Sequence, residues 1–245
     1  MGFGEILFPD LLLTADRPPL AEGIPDRLYG RRRGHVLRPR QQRLMDFTLP
    51  RLTLTDPARP FPHPVAALWL EVGFGGGEHA YALSRANPDV GYIASEVFEN
   101  GLCSLLTRLA PDGAEDSAPL PPNLRLWPRD ARHLVAALPE AALDKLILLF
   151  PDPWPKARHA KRRFVNATLL PAIARVLRPG GEWRIASDDP TYQAWVRDTL
   201  AAQEFFAVPP PATARPEGWP GTRYEAKALR EGRTPLYWSL TRRGS

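Results

Sequence analysis

The chain holds a single cysteine, Cys103, among 245 residues. One thiol excludes an intramolecular disulfide framework and a cysteine-rich zinc module, and it points to a reducing compartment. Lysine is nearly as scarce, with only Lys145, Lys156, Lys161 and Lys227, so arginine carries most of the positive charge. No apolar run approaches the roughly 18 residues that a membrane-spanning helix needs. The start, Met1-Gly2-Phe3-Gly4-Glu5-Ile6, lacks the basic opening of a secretory signal, and Ile6 breaks the myristoylation pattern. The expectation is a cytoplasmic protein. What is there in quantity is apolar material, 44% of the chain, enough for one large domain or a domain with an extension. Basic residues outnumber acidic ones 32 to 27, which favours a polyanionic partner where the charge is clustered. The 29 prolines exceed the usual share of about 5%, and beside the arginine preference they read as compositional bias rather than disorder.

Residues 1–64 show no sustained periodicity and carry one arginine-rich stretch over 31–43, so they are expected as a basic, proline-containing extension to a domain spanning 65–245. From Val65 short apolar runs alternate with amphipathic stretches, the pattern of a parallel sheet covered by helices. Strands are expected over 65–72, 91–97, 123–127, 143–150, 182–186 and 236–241. Helices are expected near 78–85 and 101–109, and over 163–177, where Val165, Leu169, Ile173 and Val176 share a face and Gly180-Gly181 ends the element. A further helix is expected to about residue 202, with Asp189 as N-cap and Pro190 in the first turn. Residues 111–122 and 208–221 read as proline-rich loops.

Between the first strand and helix lies Glu71-Val72-Gly73-Phe74-Gly75-Gly76-Gly77-Glu78-His79. Glycines there let the backbone approach a ligand at the C-terminal edge of a sheet, although such turns also serve plain geometry. The spacing is neither the G-x-G-x-x-G of dinucleotide folds nor the Gly-Lys-Ser/Thr of a phosphate loop. A pyrophosphate favours the bare positive end of a helix, yet Glu71 and Glu78 flank this turn. An acidic surround suits a ligand with cationic groups, such as the sulfonium and ammonium of S-adenosylmethionine. Glu96 ends the second strand about twenty residues on, where an acid binds ribose hydroxyls; the alternative is a solvated strand-end acid. Asp130 follows the third strand, placed to meet an adenine amino group or simply to make a surface turn.

The segment Phe150-Pro151-Asp152-Pro153-Trp154-Pro155-Lys156-Ala157-Arg158-His159-Ala160-Lys161-Arg162-Arg163 follows the most apolar strand. Its first residues therefore sit at the same sheet edge as the glycine turn. Three prolines in five positions stiffen the loop and fix Asp152 and Trp154 before any ligand arrives. Residues 156–163 carry five formal positive charges and His159, with no acid. Beside a rigid pocket this fits capture of a phosphate backbone next to a site for an extruded base, although a charge run alone is more often a solvated face. The run over 31–43, with Tyr29 and interspersed glycines, reads either as a flexible RNA-contacting arm or as a basic tether.

These segments together resemble the bacterial tRNA (guanine-N7)-methyltransferases. The match runs in order through Leu70-Glu71-Val72-Gly73-Phe74-Gly75, Ser95-Glu96-Val97, 149–156 with Arg158-His159 and Lys161-Arg162-Arg163, Ala186-Ser187-Asp188 with Tyr192, and Thr222-Arg223-Tyr224-Glu225. The resemblance implies a class I methyltransferase fold, that is, a Rossmann-like α/β architecture with a mostly parallel seven-stranded sheet, helices on both faces and one antiparallel strand. It implies S-adenosylmethionine as donor, tRNA as partner, no metal, and a guanosine of the tRNA variable loop as target. By position it assigns Glu71, Gly73, Gly75, Glu96, Asp130 and Asp152 to the donor, with Asp152 catalytic. Lys156, Arg158, His159, Lys161, Arg162, Arg163, Asp188, Thr222, Arg223, Tyr224 and Glu225 are assigned to the substrate. Ser187 and Tyr224 stand where threonine and phenylalanine are common in the family, and Asp189 where an aromatic is often found. The residues alone leave open a class I methyltransferase acting on another RNA or a small molecule, and a non-catalytic RNA-binding protein of the same fold. A monomer and a homodimer are both compatible with the sequence.

Overall fold

The computed structural model describes residues 20, 26–28 and 32–244. Its centre is a seven-stranded sheet in the order β3-β2-β1-β4-β5-β7-β6. The strands are β1 Ala67–Val72, β2 Val90–Ser95, β3 Leu124–Trp127, β4 Leu143–Leu149, β5 Leu177–Ser187, β6 Phe206–Ala207 and β7 Leu236–Arg242. Pairing is parallel from β3 through β5, and β7 runs antiparallel to both β5 and β6. This is the mostly parallel sheet with one reversed strand that the resemblance implied.

The central strands are apolar because both of their faces are covered. Leu68, Leu70, Val72, Leu146, Leu148 and Ile185 pack on one side with helices α5 Ala131–Ala137, α6 Leu170–Val176 and α7 Pro190–Ala201. Tyr92, Ala94, Ile147 and Leu149 pack on the other with α3 Glu78–Ala86 and α4 Glu99–Leu109. Each fully buried Leu or Ile contributes about 1.5–3 kcal/mol, so alternation along each strand fixes its register firmly. The chain lays down β1, moves outward to β2 and β3, then returns past β1 to β4 and β5. That reversal puts the topological switch point between β1 and β4, where ligands of open α/β sheets bind. Val72 is paired with Leu148, so the glycine turn and the 150–156 loop leave adjacent strands at one level.

Part of the segment read as an extension belongs to this core. Pro39–Arg43 (α1), a π-turn at Leu44–Thr48 and Leu49–Leu52 (α2) run on from one another, and Leu44, Met45, Leu49 and Leu52 are buried in the α3–α4 layer. The widened turn shifts the apolar positions away from a 3.6-residue repeat, which hides the helix from a periodicity reading. The helix expected over 163–177 covers only Leu170–Val176. The backbone around Asn166 forms a turn, with Thr168 N–H donating to Asn166 Oδ1 and Leu170 N–H to Asn166 O. Leu177 is already extended and opens β5, so Gly180 (φ 77°) marks an irregularity within the strand rather than the end of a helix. Helices α5 and α8 Arg223–Arg230 were not expected from periodicity. Asp189 caps α7 as expected, accepting from Tyr192 N–H at 2.9 Å. Among the described residues no helix is long and apolar enough to cross a membrane.

Candidate active site

The glycine turn is tied to β2 by Gly73 N–H donating to Ser95 O at 2.8 Å. Gly73 and Gly75 lie at φ 71° and 59°, conformations that cost an L side chain but not glycine. Beside the Gly73 α-carbon there is open space where a side chain would project. The Gly75 N–H donates to Glu96 Oε2 at 2.8 Å, while Glu96 Oε1 accepts from the amides of Val97 (2.8 Å) and Phe98 (3.0 Å). A turn amide that meets a phosphate in dinucleotide folds is thus already engaged by a protein carboxylate. Burial raises the pKa of Glu96, the three amides oppose that rise, and the charge of Asp152 adds to it. Asp152 is the smallest of these influences, on the loop that leaves β4 beside the glycine turn.

A cleft of about 140 Å³ opens here, lined by Val72, Gly73, Glu96, Val97, Asp130 and Ala131 together with Leu28 and Phe164. Its volume is on the order of a cavity that admits one aromatic ring. Apolar Val97, Ala131, Leu28 and Phe164 suit a purine, and Glu96 suits ribose hydroxyls, so the residues present fit S-adenosylmethionine. Arg129, Arg132 and Arg162 also line the cleft. Arg132 holds Asp130, which accepts from its Nε at 3.0 Å and from its N–H at 2.9 Å as the N-cap of α5. Asp130 borders the cleft, and its carboxylate also serves its own helix.

Glu71, which the resemblance assigns to the donor, is engaged inside the fold. It is 2% exposed and, like Gly75 and Asp152, absent from the cleft lining. Its Oε2 accepts from Tyr92 OH at 2.6 Å and from His79 Nδ1 at 3.1 Å, which ties β1 to β2 and to the first turn of α3. Burial, followed by the adjacent Glu71 charge, pushes the Tyr92 hydroxyl well above its usual pKa, so it stays a donor.

Asp152 is exposed at the tip of the proline loop, between Phe150 (φ 50°) and Trp154 (φ 44°). The basic tail forms a 3₁₀ turn at Ala157–Arg162. The Trp154 ring meets His159 edge-on at 5.8 Å and the Arg162 guanidinium at 4.7 Å. Lys156, Arg158 and Lys161 are exposed. His159 is half-buried, and partial burial together with the charges of Arg162, Arg158 and Lys156 lowers its pKa, which keeps it uncharged at neutral pH. Arg163, assigned to the RNA by the resemblance, is 6% exposed, and its Nε and Nη2 donate to Pro153 O (3.0 Å) and Trp154 O (2.8 Å).

The C-terminal motif also divides. Thr222 and Glu225 form a capping box for α8: Thr222 Oγ1 accepts from Glu225 N–H at 3.1 Å, and the Glu225 carboxylate accepts from Thr222 N–H at 3.4 Å. Glu225 is buried and also accepts from Tyr237 OH at 2.6 Å. Arg223 and Tyr224 remain exposed, with the guanidinium over the ring at 4.9 Å. The Tyr224 ring lies on the glycine turn, so close that a Cβ on Gly75 would come within 2.8 Å of it. Asp188 is paired with Arg233 at 2.6 Å. In the N-terminal basic run, Arg32 and Arg33 face Glu99, and Arg40 and Arg43 face Glu115. Tyr29, Gly30 and Arg31 lie outside the described residues. Residues 26–28 are held beside the cleft by Asp26 to His133 Nε2 at 3.0 Å and by Arg132 Nη2 donating to Arg27 O at 2.8 Å.

The polar partners His79, Tyr92, Arg132 and Arg233 escape the sequence reading. Only for Arg132 is there a local signal, two residues after its acid. The Thr222-x-x-Glu225 spacing is itself a helix-start signature that was available.

Residues 65–237 match the family model described as "Putative methyltransferase". The chain is 62% identical over 220 residues to the tRNA (guanine-N(7)-)-methyltransferase of Granulibacter bethesdensis, covering 89% of this chain and 96% of that one. It is 46% identical to the enzyme of the same name from Rhodospirillum rubrum, covering 89% and 88%. In fold it is similar to the crystal structure of the 16S rRNA methyltransferase KamB, with a TM-score of 0.53 and 19% identity over 74% of this chain and 90% of that one. With its switch-point cleft, its Asp-Pro-Trp loop and these relatives, the chain belongs to the bacterial tRNA (guanine-N7)-methyltransferase family.

Proposed function

We propose that the protein transfers a methyl group from S-adenosylmethionine to N7 of a guanosine in the variable loop of cytoplasmic tRNA. The observation that carries this reading is the position of Asp152. It is exposed on a stiffened loop that leaves β4 beside the glycine turn at the switch point, and is followed by the exposed cations Lys156, Arg158 and Lys161.

S-adenosylmethionine supplies an electrophilic methyl on a sulfonium centre. Guanine N7 has a free lone pair at neutral pH, so no side chain has to remove a proton before attack. The task of the protein is then orientation, with electrostatic support as positive charge moves onto the purine. Glu96 and the apolar cleft hold the nucleoside end of the donor. Asp152 orients the guanine edge and favours the cationic product. Tyr224, resting on the glycine turn, offers a flat surface on the same side. Lys156, Arg158 and Lys161 hold the RNA backbone. In a folded tRNA the N7 edge of the variable-loop guanosine is engaged in tertiary pairing, so its methylation requires local opening of the RNA.

Incubation with labelled S-adenosylmethionine and tRNA lacking the modification, followed by nucleoside analysis, tests the reading. 7-Methylguanosine mapped to the variable loop is the expected product. Donor binding with a different methylated nucleoside, or with none, overturns it.

A further inference from the structure

Five side chains of the basic tail carry formal charge, and four of them lie in the 3₁₀ turn or at its start, partly or fully open to solvent. The fifth, Arg163, is 6% exposed. Its Nε donates to Pro153 O at 3.0 Å and its Nη2 to Trp154 O at 2.8 Å. Its guanidinium lies over the Trp195 ring at 4.6 Å. Trp195 belongs to α7, and its Nε1 donates to Val165 O at 2.6 Å, closing the packing behind Arg163. We infer that Arg163 is a positioning residue for the Asp152 loop and not a contact to RNA.

The loop's composition explains why it needs such a residue. Pro151, Pro153 and Pro155 have no N–H, so the segment cannot build a backbone hydrogen-bond pattern of its own. Its carbonyls must be met from outside, and one planar guanidinium meets two of them. Trp154 also sits at φ 44°, a conformation a non-glycine residue keeps only when its surroundings hold it there. Arg163 grips the carbonyls that precede and follow the strained Trp154 α-carbon, those of Pro153 and of Trp154 itself, and so fixes the turn that presents Asp152. A lysine has neither the two-pronged donor geometry nor the flat face that stacks on Trp195. The stack links the loop to α7, at whose start Asp188 and Asp189 lie.

The inference rests on the proposed methyl transfer, and its test separates failure of one from failure of the other. Arg163→Lys and Arg158→Ala are compared with the unaltered protein in three measurements: tRNA affinity as a function of salt, single-turnover methylation at saturating tRNA and donor, and hydrogen exchange of residues 150–163. For Arg163→Lys the salt slope is expected to stay unchanged while the single-turnover rate falls about 100-fold, the cost of a reacting group displaced by about 1 Å. Its loop exchange quickens at temperatures where the rest of the protein keeps its protection. For Arg158→Ala the slope is expected to drop by about 0.7–0.9, one phosphate contact. A reduced slope for Arg163→Lys with its saturated rate intact overturns the inference, as does a loss of rate that only tracks loss of global stability. If the unaltered protein methylates no tRNA, the function reading fails by itself, and unchanged exchange over 150–163 in Arg163→Lys still overturns the positioning role.

Discussion

Tyr92→Phe separates the two roles open to Glu71, donor contact and structural tie. The hydroxyl donates to Glu71 Oε2 at 2.6 Å, with Tyr92 at 0% and Glu71 at 2% exposure. A hydrogen bond to a charged group contributes about 1.5–3 kcal/mol net. Its removal leaves the carboxylate buried with His79 Nδ1 as its remaining side-chain donor, so a loss of about 2 kcal/mol is a fair working value. For a chain of this size that lowers Tm by about 4–8 °C. Neither side chain lines the cleft, so donor affinity should stay within about twofold of the original. Calorimetric unfolding gives the first quantity and isothermal titration with S-adenosylmethionine the second. An unchanged Tm together with donor binding weakened about tenfold or more would place Glu71 at the ligand and refute the reasoning.

The acid tie of the N-terminal helix should be visible in pH dependence. Burial works to raise the Glu115 carboxyl, but its own backbone amide, Arg43 and the Gly113 amide outweigh it and hold the group at about 2 against an ordinary 4.5. A depressed carboxylate stabilises the fold above its unfolded pKa, and that contribution fades as pH falls from about 4.5 toward 2. The gap in urea midpoint between the unaltered protein and Glu115→Gln should therefore be constant above about pH 5 and close across that window; a gap independent of pH would contradict it. Thr222→Ala removes the α8 cap and should cost about 1 kcal/mol, read as a Tm lower by about 2–4 °C. Gly75→Ala forces an L side chain to φ 59°, at about 1–2 kcal/mol, and drives its Cβ into Tyr224. It should weaken donor binding about tenfold, and an unaffected titration would mean that the turn does not border the donor.

The strands were legible because β1, β2 and β4 are buried on both faces and must be almost wholly apolar. The same burial fixed the meeting of the glycine turn and the proline loop, since both follow such strands. Helix boundaries were less legible where local hydrogen bonding competes, as at Asn166, or where a π-turn breaks the period, as at Leu44–Thr48. Charge was the most misleading signal. Arg40 and Arg43 read as part of an RNA-contacting arm or basic tether and Arg163 as part of a phosphate-capturing run, yet Arg163 holds backbone carbonyls and the other two face Glu115, far along the chain from either. Sequence spacing cannot show that Tyr92 reaches Glu71, because the contact depends on a parallel register that pairs Trp69 with Tyr92. Thr222 and Glu225 show the reverse case, in which a purely local pattern specifies a helix start at residues that the family resemblance assigns to the substrate.

Motif residues thus sort by where their polar atoms go. Glu71, Arg163, Thr222 and Glu225 are engaged within the protein, while Asp152, Lys156, Arg158 and Tyr224 are exposed around the switch point. That division follows from the chemistry. A nucleophile with a free lone pair requires no proton transfer in advance, so little is gained from a buried acid or base of shifted pKa, and much from a reacting geometry that does not drift. A loop of three prolines supplies stiffness but leaves carbonyls without partners, and a turn of glycines supplies access but little rigidity. Each is therefore braced by a charged side chain: Arg163 on the carbonyls of the first, Glu96 on the amide of the second. Opposite charges follow from opposite needs, since exposed carbonyls call for a cation and exposed amides for an anion. On this argument, charge-preserving substitutions such as Arg163→Lys and Glu96→Asp should impair the saturated methylation rate nearly as much as alanine does, because what each site requires is reach and planarity rather than charge alone.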